Sequence, residues 1–108
     1  MARFHPNTQA RYMLLDQLRQ MNTRLNSLAA QFGASRLRVF GSVARGEETP
    51  DSDVDFLVEL PRGYDLLTQR MPLTLELGDL LHRKVDLVPE HELSPHVRAQ
   101  VLSEAVPL

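Results

Sequence analysis

The chain of 108 residues contains no cysteine. That absence excludes disulfides and cysteine-ligated zinc, and it permits a reducing compartment. A strong charge of either sign is also missing. The formal net charge is −2, with acids and bases interspersed, so bulk attraction to nucleic acid or anionic lipid is not indicated. No apolar run approaches the length of a membrane span. The opening stretch, MARFHPNTQARYM, lacks the apolar segment of a secretory signal. Internal repeats and low-complexity linkers are absent too. The expectation is a soluble cytoplasmic protein forming one domain over residues 1–108, with a flexible start at 1–7.

What is present is a strong pattern of apolar residues. Thr8 can cap a first helix, whose apolar face runs through Leu14, Leu18, Met21, Leu25, Leu28 and Phe32 to a C-terminal glycine, Gly33. SRLRVF (35–40) alternates at period two and predicts a strand. Residues 42–45 fit one short helical turn, and GEETPDS (46–52) is loop by composition. DVDFLVEL (53–60) is the clearest strand, and its Phe56-Leu57-Val58 run suits a central position buried on both faces. Pro61 and Gly63 end it. Residues 64–82 are Leu-rich; the expected form is a turn before Met71 and a helix from Pro72 to His82, with Pro72 starting, kinking or dividing it. KVDLV (84–88) reads as a third strand. Ser94-Pro95 opens a last helix that runs to about Ala105. The order predicts an α/β (α+β) domain, a small mixed sheet flanked by helices.

The chemistry is concentrated at the mouth of the central strand. Glu47, Glu48, Asp51, Asp53 and Asp55 place five acids within nine residues, directly before the apolar run. On a strand, Asp53 and Asp55 project to the same side, with Cα atoms roughly 6.5–7 Å apart. Two carboxylates so placed repel by roughly 1–4 kcal/mol at surface dielectrics. A divalent cation relieves this, and carboxylate oxygens are the hard ligands that Mg²⁺ prefers. Asp86, in the middle of KVDLV, adds a third carboxylate to the same site if the two strands are neighbours. Gly41 and Ser42 stand where a strand gives way to a helical turn, a place where backbone can approach phosphate closely and the serine hydroxyl can donate. The four histidines, His5, His82, His91 and His96, show no metal-ligand spacing. Tyr64 reads as a loop aromatic packed on the core.

Gly41-Ser42, a ten-residue spacer and then Asp53-Val54-Asp55 form the motif of a known family. From about residue 35 onward, through LRVFGSVARGEETPDSDVDFLVEL, LGDLLHRKVDLVPE and EAVPL, the sequence resembles the minimal nucleotidyltransferases, or MNT domains, of the DNA polymerase beta superfamily. The resemblance implies that Asp53 and Asp55 are the metal-binding pair, and that Asp86 is a further metal ligand or general base. It implies that Gly41 and Ser42 hold a triphosphate, and that Arg45 pairs with the acidic loop or with phosphate. Ser52 matches a loop position with a structural role. The cofactor implied is Mg²⁺, one or two ions, and the substrate is ATP.

Larger relatives carry a separate acceptor-binding domain, and little of this chain is left to select an acceptor. The resemblance therefore implies a partner, a HEPN-domain ribonuclease toxin. AMP would pass to a tyrosine of that toxin, and the chain would act as its antitoxin in a hetero-oligomer. Two alternatives stand beside this reading. One is a non-catalytic antitoxin that inhibits the HEPN partner by binding. The other is transfer to a small molecule such as an aminoglycoside, disfavoured because the acceptor domain is missing. The Leu-rich stretch 66–81 can serve as core and partner interface together.

Overall fold

The structure, a computed structural model, describes residues 14–108. The expected flexible start and the Thr8 cap lie outside the described residues. Helix α1 (14–20) leads into α2 (Asn22–Gln31), followed by β1 (Ser35–Phe40), α3 (Gly41–Arg45) and β2 (Val54–Glu59). A π-helical turn (Leu66–Arg70) precedes α4 (Met71–Leu81), then come β3 (Val85–Pro89), a 3₁₀ turn (Glu90–Glu92), α5 (Pro95–Glu104) and β4 (Val106–Pro107). The four strands lie in the order β3-β2-β1-β4. β2 and β3 run parallel, while β1 is antiparallel to both β2 and β4.

The apolar stripe of the first helical segment packs as its spacing predicts. Leu14, Leu18 and Leu25 are buried, and Met21, Leu28 and Phe32 pack at the margin of the core. The segment nevertheless divides at Met21, whose N–H is shared between the Gln17 and Leu18 carbonyls (3.0 and 3.1 Å). Asn22 supplies the cause. Its side-chain oxygen accepts from the Thr23 N–H at 2.8 Å, the local bonding by which asparagine competes with a continuous helix. Gly33 ends α2 at φ +77, the left-handed conformation expected of it.

β2 is the central element. Phe56, Leu57 and Val58 are fully shielded from solvent, as the unbroken apolar run anticipated. Val54, Phe56 and Val58 join Leu37, Val39, Val85 and Leu87 in one cluster with Leu18, Leu25, Leu73 and Leu77 of the helices. One sheet face therefore carries the core. Residues of the opposite parity, Arg38, Phe40, Asp55, Leu57 and Asp86, point to the other face.

β1 departs from simple alternation. Arg38 is one of the polar residues alternating with Leu37 and Val39, yet it is buried. Its guanidinium is neutralised there by Glu90, which also binds Arg98 at 3.1 Å. A buried cation persists when its charge is paired and hydrogen-bonded.

Pro72 occupies the first turn of α4, where its missing N–H does least harm. The preceding turn is wound wider, with Asp65 accepting from the N–H groups of Leu67 (2.9 Å) and Thr68 (3.1 Å). From this turn Arg70 Nε reaches the Leu87 carbonyl on the outer strand β3 at 3.1 Å. Tyr64 packs against the core, and its hydroxyl donates to Glu92 (2.6 Å) and accepts from Arg70 (2.9 Å). The last helix is followed by a short strand that the sequence did not announce. Val106 and Pro107 pair with Val39 and Arg38. No helix among the described residues is long and apolar enough to cross a membrane.

Candidate active site

The site is assembled where β1 hands over to α3 beside the first residues of β2. Phe40 is the register partner of Asp55, so Gly41 emerges against the Asp55 side chain. Gly41 has φ +73, and a Cβ at this position would run into the Asp55 carboxylate. Glycine is thus required here by conformation and by space. Ser42 follows in the first turn of α3, and among the described residues its hydroxyl has no hydrogen-bond partner in the protein. Val43 is buried and pins the short helix to the sheet. Gly46 caps it at φ +71.

The three aspartates come from two adjacent parallel strands. Asp55 and Asp86 are direct register partners, so their side chains leave the sheet on the same face. Asp53 lies two residues before Asp55, immediately ahead of β2, where the Val54 N–H bonds the Lys84 carbonyl at 2.9 Å and locks the two strand starts together. Asp53 and Asp55 are half-buried and Asp86 is exposed. Burial pushes the Asp55 carboxyl above its ordinary range, the charges of Asp86, Asp53 and Glu104 push it the same way, and Arg45 opposes them.

Among the described residues, no three His, Asp or Glu side chains stand close enough in their present rotamers to hold a metal ion. The donor chemistry nonetheless fits Mg²⁺. All three groups are carboxylates, two share a register position, and burial with the neighbouring carboxylates raises the Asp55 pKa, a conflict that a cation relieves.

Arg45 is engaged on the acidic side. Its Nε donates to Glu47 at 2.9 Å, and its Nη1 lies 3.2 Å from both carboxylate oxygens of Glu104. Of the five clustered acids, Glu47 is therefore paired with Arg45 rather than free to join the aspartates. Ser52 organises the loop: its hydroxyl accepts from the Thr49 N–H at 2.8 Å, and Arg83 bonds the carbonyls of Thr49 (3.0 Å) and Ser52 (3.1 Å). Sequence reasoning passed over Glu104 and Arg83. Both act on segments distant in the chain, and no local spacing signals either of them.

The nucleotidyltransferase domain family matches residues 18–108. The chain belongs to this nucleotidyltransferase family. Its members among curated proteins include the protein adenylyltransferase MntA of Thermococcus cleftensis, 40% identical over 79 residues, covering 73% of this chain and 79% of that protein. A solved minimal nucleotidyltransferase, described as a candidate, is 50% identical, with a TM-score of 0.76 over 87% of this chain and 95% of its own. A crystal structure of a toxin–antitoxin pair, MntA–HpeT, is similar at 26% identity with a TM-score of 0.66, covering 81% of this chain and 70% of the matched one. The mixed α/β architecture is that of the minimal nucleotidyltransferases, and the chain is a nucleotidyltransferase enzyme.

Proposed function

We propose that this nucleotidyltransferase transfers AMP from ATP to a tyrosine of a partner HEPN ribonuclease and thereby acts as its antitoxin. The observation that carries the reading is the register pairing of Asp55 with Asp86, on the sheet face that Gly41 adjoins. The relatives point the same way: one is named a protein adenylyltransferase, and another is solved within a toxin–antitoxin pair.

In this reading Gly41 and Ser42 receive the triphosphate, with the unpartnered Ser42 hydroxyl donating to it. Asp53, Asp55 and Asp86 would hold Mg²⁺, which when bound would neutralise charge on the phosphates. The tyrosine oxygen attacks the α-phosphorus, forming a P–O bond while the α–β bridging bond breaks and pyrophosphate leaves. The phenolic proton passes to Asp86, the exposed carboxylate, within reach of an incoming acceptor. Holding the two reactants in line supplies much of the rate.

A protein acceptor suits the surface beside Asp86. A groove of about 240 Å³ there is lined by Leu66, Met71, Leu75 and Leu87 together with Arg70 and Thr74. Leu66, Met71 and Leu75 are 50%, 46% and 65% exposed. Apolar side chains in such a groove match an aromatic ring carried on a folded partner. The same exposed surface also favours inhibition by binding alone as the second reading.

The experiment combines the chain with its HEPN partner, ATP and Mg²⁺, and follows the partner by peptide mass spectrometry. AMP appears on a partner tyrosine, and Asp53→Asn abolishes it. Unchanged modification in this variant rules out the mechanism built on Asp53. Suppression of toxicity by the Asp53→Asn, Asp55→Asn, Asp86→Asn triple variant, at equal expression, establishes binding as sufficient.

A further inference from the structure

The end of α5 reaches into the corner formed by β1 and α3. Glu104, its last residue, accepts a hydrogen bond from the Gly41 N–H through Oε1 at 2.9 Å. Both of its oxygens lie 3.2 Å from Arg45 Nη1. Gly41 opens α3 and Arg45 closes it, so one carboxylate grips both ends of a five-residue helix. A helix of one turn has no cooperative stability of its own. Its position depends on what is tied to it, here the buried Val43 and this carboxylate.

Glu104 is itself firmly placed. Its side chain is only 19% exposed. The Ala105 N–H bonds the Val101 carbonyl at 2.9 Å, Val106 pairs with Val39, and the Leu108 N–H bonds the Leu37 carbonyl at 3.0 Å. The chain on either side of Glu104 is therefore anchored, on one side to a helix with a buried Val101 and on the other to the sheet edge. Its charge faces that of Arg45.

We propose that Glu104 is a positioning residue for nucleotide binding: it braces the Gly41–Arg45 corner through the Gly41 N–H and the Arg45 guanidinium. The proposal rests on the reading of Gly41 and Ser42 as the phosphate contact. A corner held in its bound form before the ligand arrives spares the ordering cost that binding otherwise carries. The charge of Glu104 is opposed by Arg45, which it shares with Glu47. Both contacts reach Oε1, and glutamine retains that acceptor. The brace therefore survives Glu104→Gln and is lost in Glu104→Ala. It is also lost in Glu104→Asp, whose carboxylate is withdrawn by one methylene.

The test is calorimetric titration of the full chain with Mg²⁺–ATP, with thermal unfolding of each variant measured alongside. Glu104→Ala and Glu104→Asp are expected to bind ATP about tenfold more weakly, the loss of charged hydrogen bonds. Glu104→Gln is expected to recover most of that loss. A role in folding alone would lower unfolding temperatures without separating glutamine from aspartate in ATP affinity. If Glu104→Ala fails to fold, the Gln and Asp pair carries the decision. Binding by Glu104→Asp or Glu104→Ala as tight as that of the parent chain, or tighter, overturns the brace while leaving the site reading intact. Failure of the parent chain to bind ATP overturns both.

Discussion

Two charged places on one face of the sheet are built in opposite ways. At Arg38, a buried cation is met by Glu90, whose other oxygen is held by Arg98. At Asp55, a half-buried carboxylate stands beside Asp86 in register and Asp53 two residues earlier, with Arg45 as its opposing charge. Arg38 and Asp55 lie on strands that pair directly, and both point away from the apolar core. The first arrangement satisfies its charges internally and fastens the 3₁₀ turn after β3 to β1. The second leaves negative charge in excess. The contrast fits the proposed role of the second place as a cation and phosphate site.

The contrast can be broken at either place. The largest expected effect is at the paired site. Glu90→Ala leaves Arg38 buried without its main partner and should cost about 3 kcal/mol in urea denaturation at pH 7. A cost near zero would mean that Arg98 and solvent replace Glu90 without loss.

The next effect is the pH dependence of that cost. The hydrogen bond from Arg38 holds the Glu90 carboxyl below its ordinary range, so its contribution is fully present above the unfolded value of about 4.3. It is lost as pH falls through the lower folded value. The stability gap between the parent chain and Glu90→Gln should therefore shrink on acidification below about pH 4. For Asp55 the sign reverses. Burial and neighbouring carboxylates raise its folded pKa, so its penalty is present above that raised value and fades as pH falls toward the ordinary range.

The smallest stability effect is the one that sharpens the comparison most. Without metal at pH 7, Asp55→Asn should be as stable as the parent chain or slightly more so, by chemical denaturation, while AMP transfer falls by about two orders of magnitude or more. A variant that loses stability in parallel with activity would assign Asp55 to the scaffold.

How much of this was legible from sequence follows the range of the interactions. Phe56-Leu57-Val58 announced the central strand because continuous burial leaves a continuous apolar run. The spacing from Gly41-Ser42 to Asp53 and Asp55 was readable for a similar reason. A strand end, a turn and the next strand start are close in the chain, and few residue types meet their chemistry. Asp86 was placed by supposing that its strand lies beside β2, and the parallel register puts it next to Asp55. What escaped depends on distant partners. The burial of Arg38 carries no local signal because Glu90, 52 residues away, supplies the charge that permits it. Glu104 meets Gly41 across 63 residues. β4 has two residues and becomes a strand only because α5 delivers it to the edge of β1. The break at Met21 carries neither glycine nor proline, and it rests on one asparagine side chain bonding its neighbour's N–H.

The outer strand β3 has a further consequence through Arg70. With the Leu87 carbonyl occupied by Arg70 Nε, the exposed margin of the sheet offers an interrupted row of acceptors. An approaching extended peptide would have to displace that guanidinium before it could zip on as a fifth strand. Recognition along this side is accordingly steered toward side chains and helices. The same arginine discourages the runaway edge-to-edge stacking by which small open sheets polymerise.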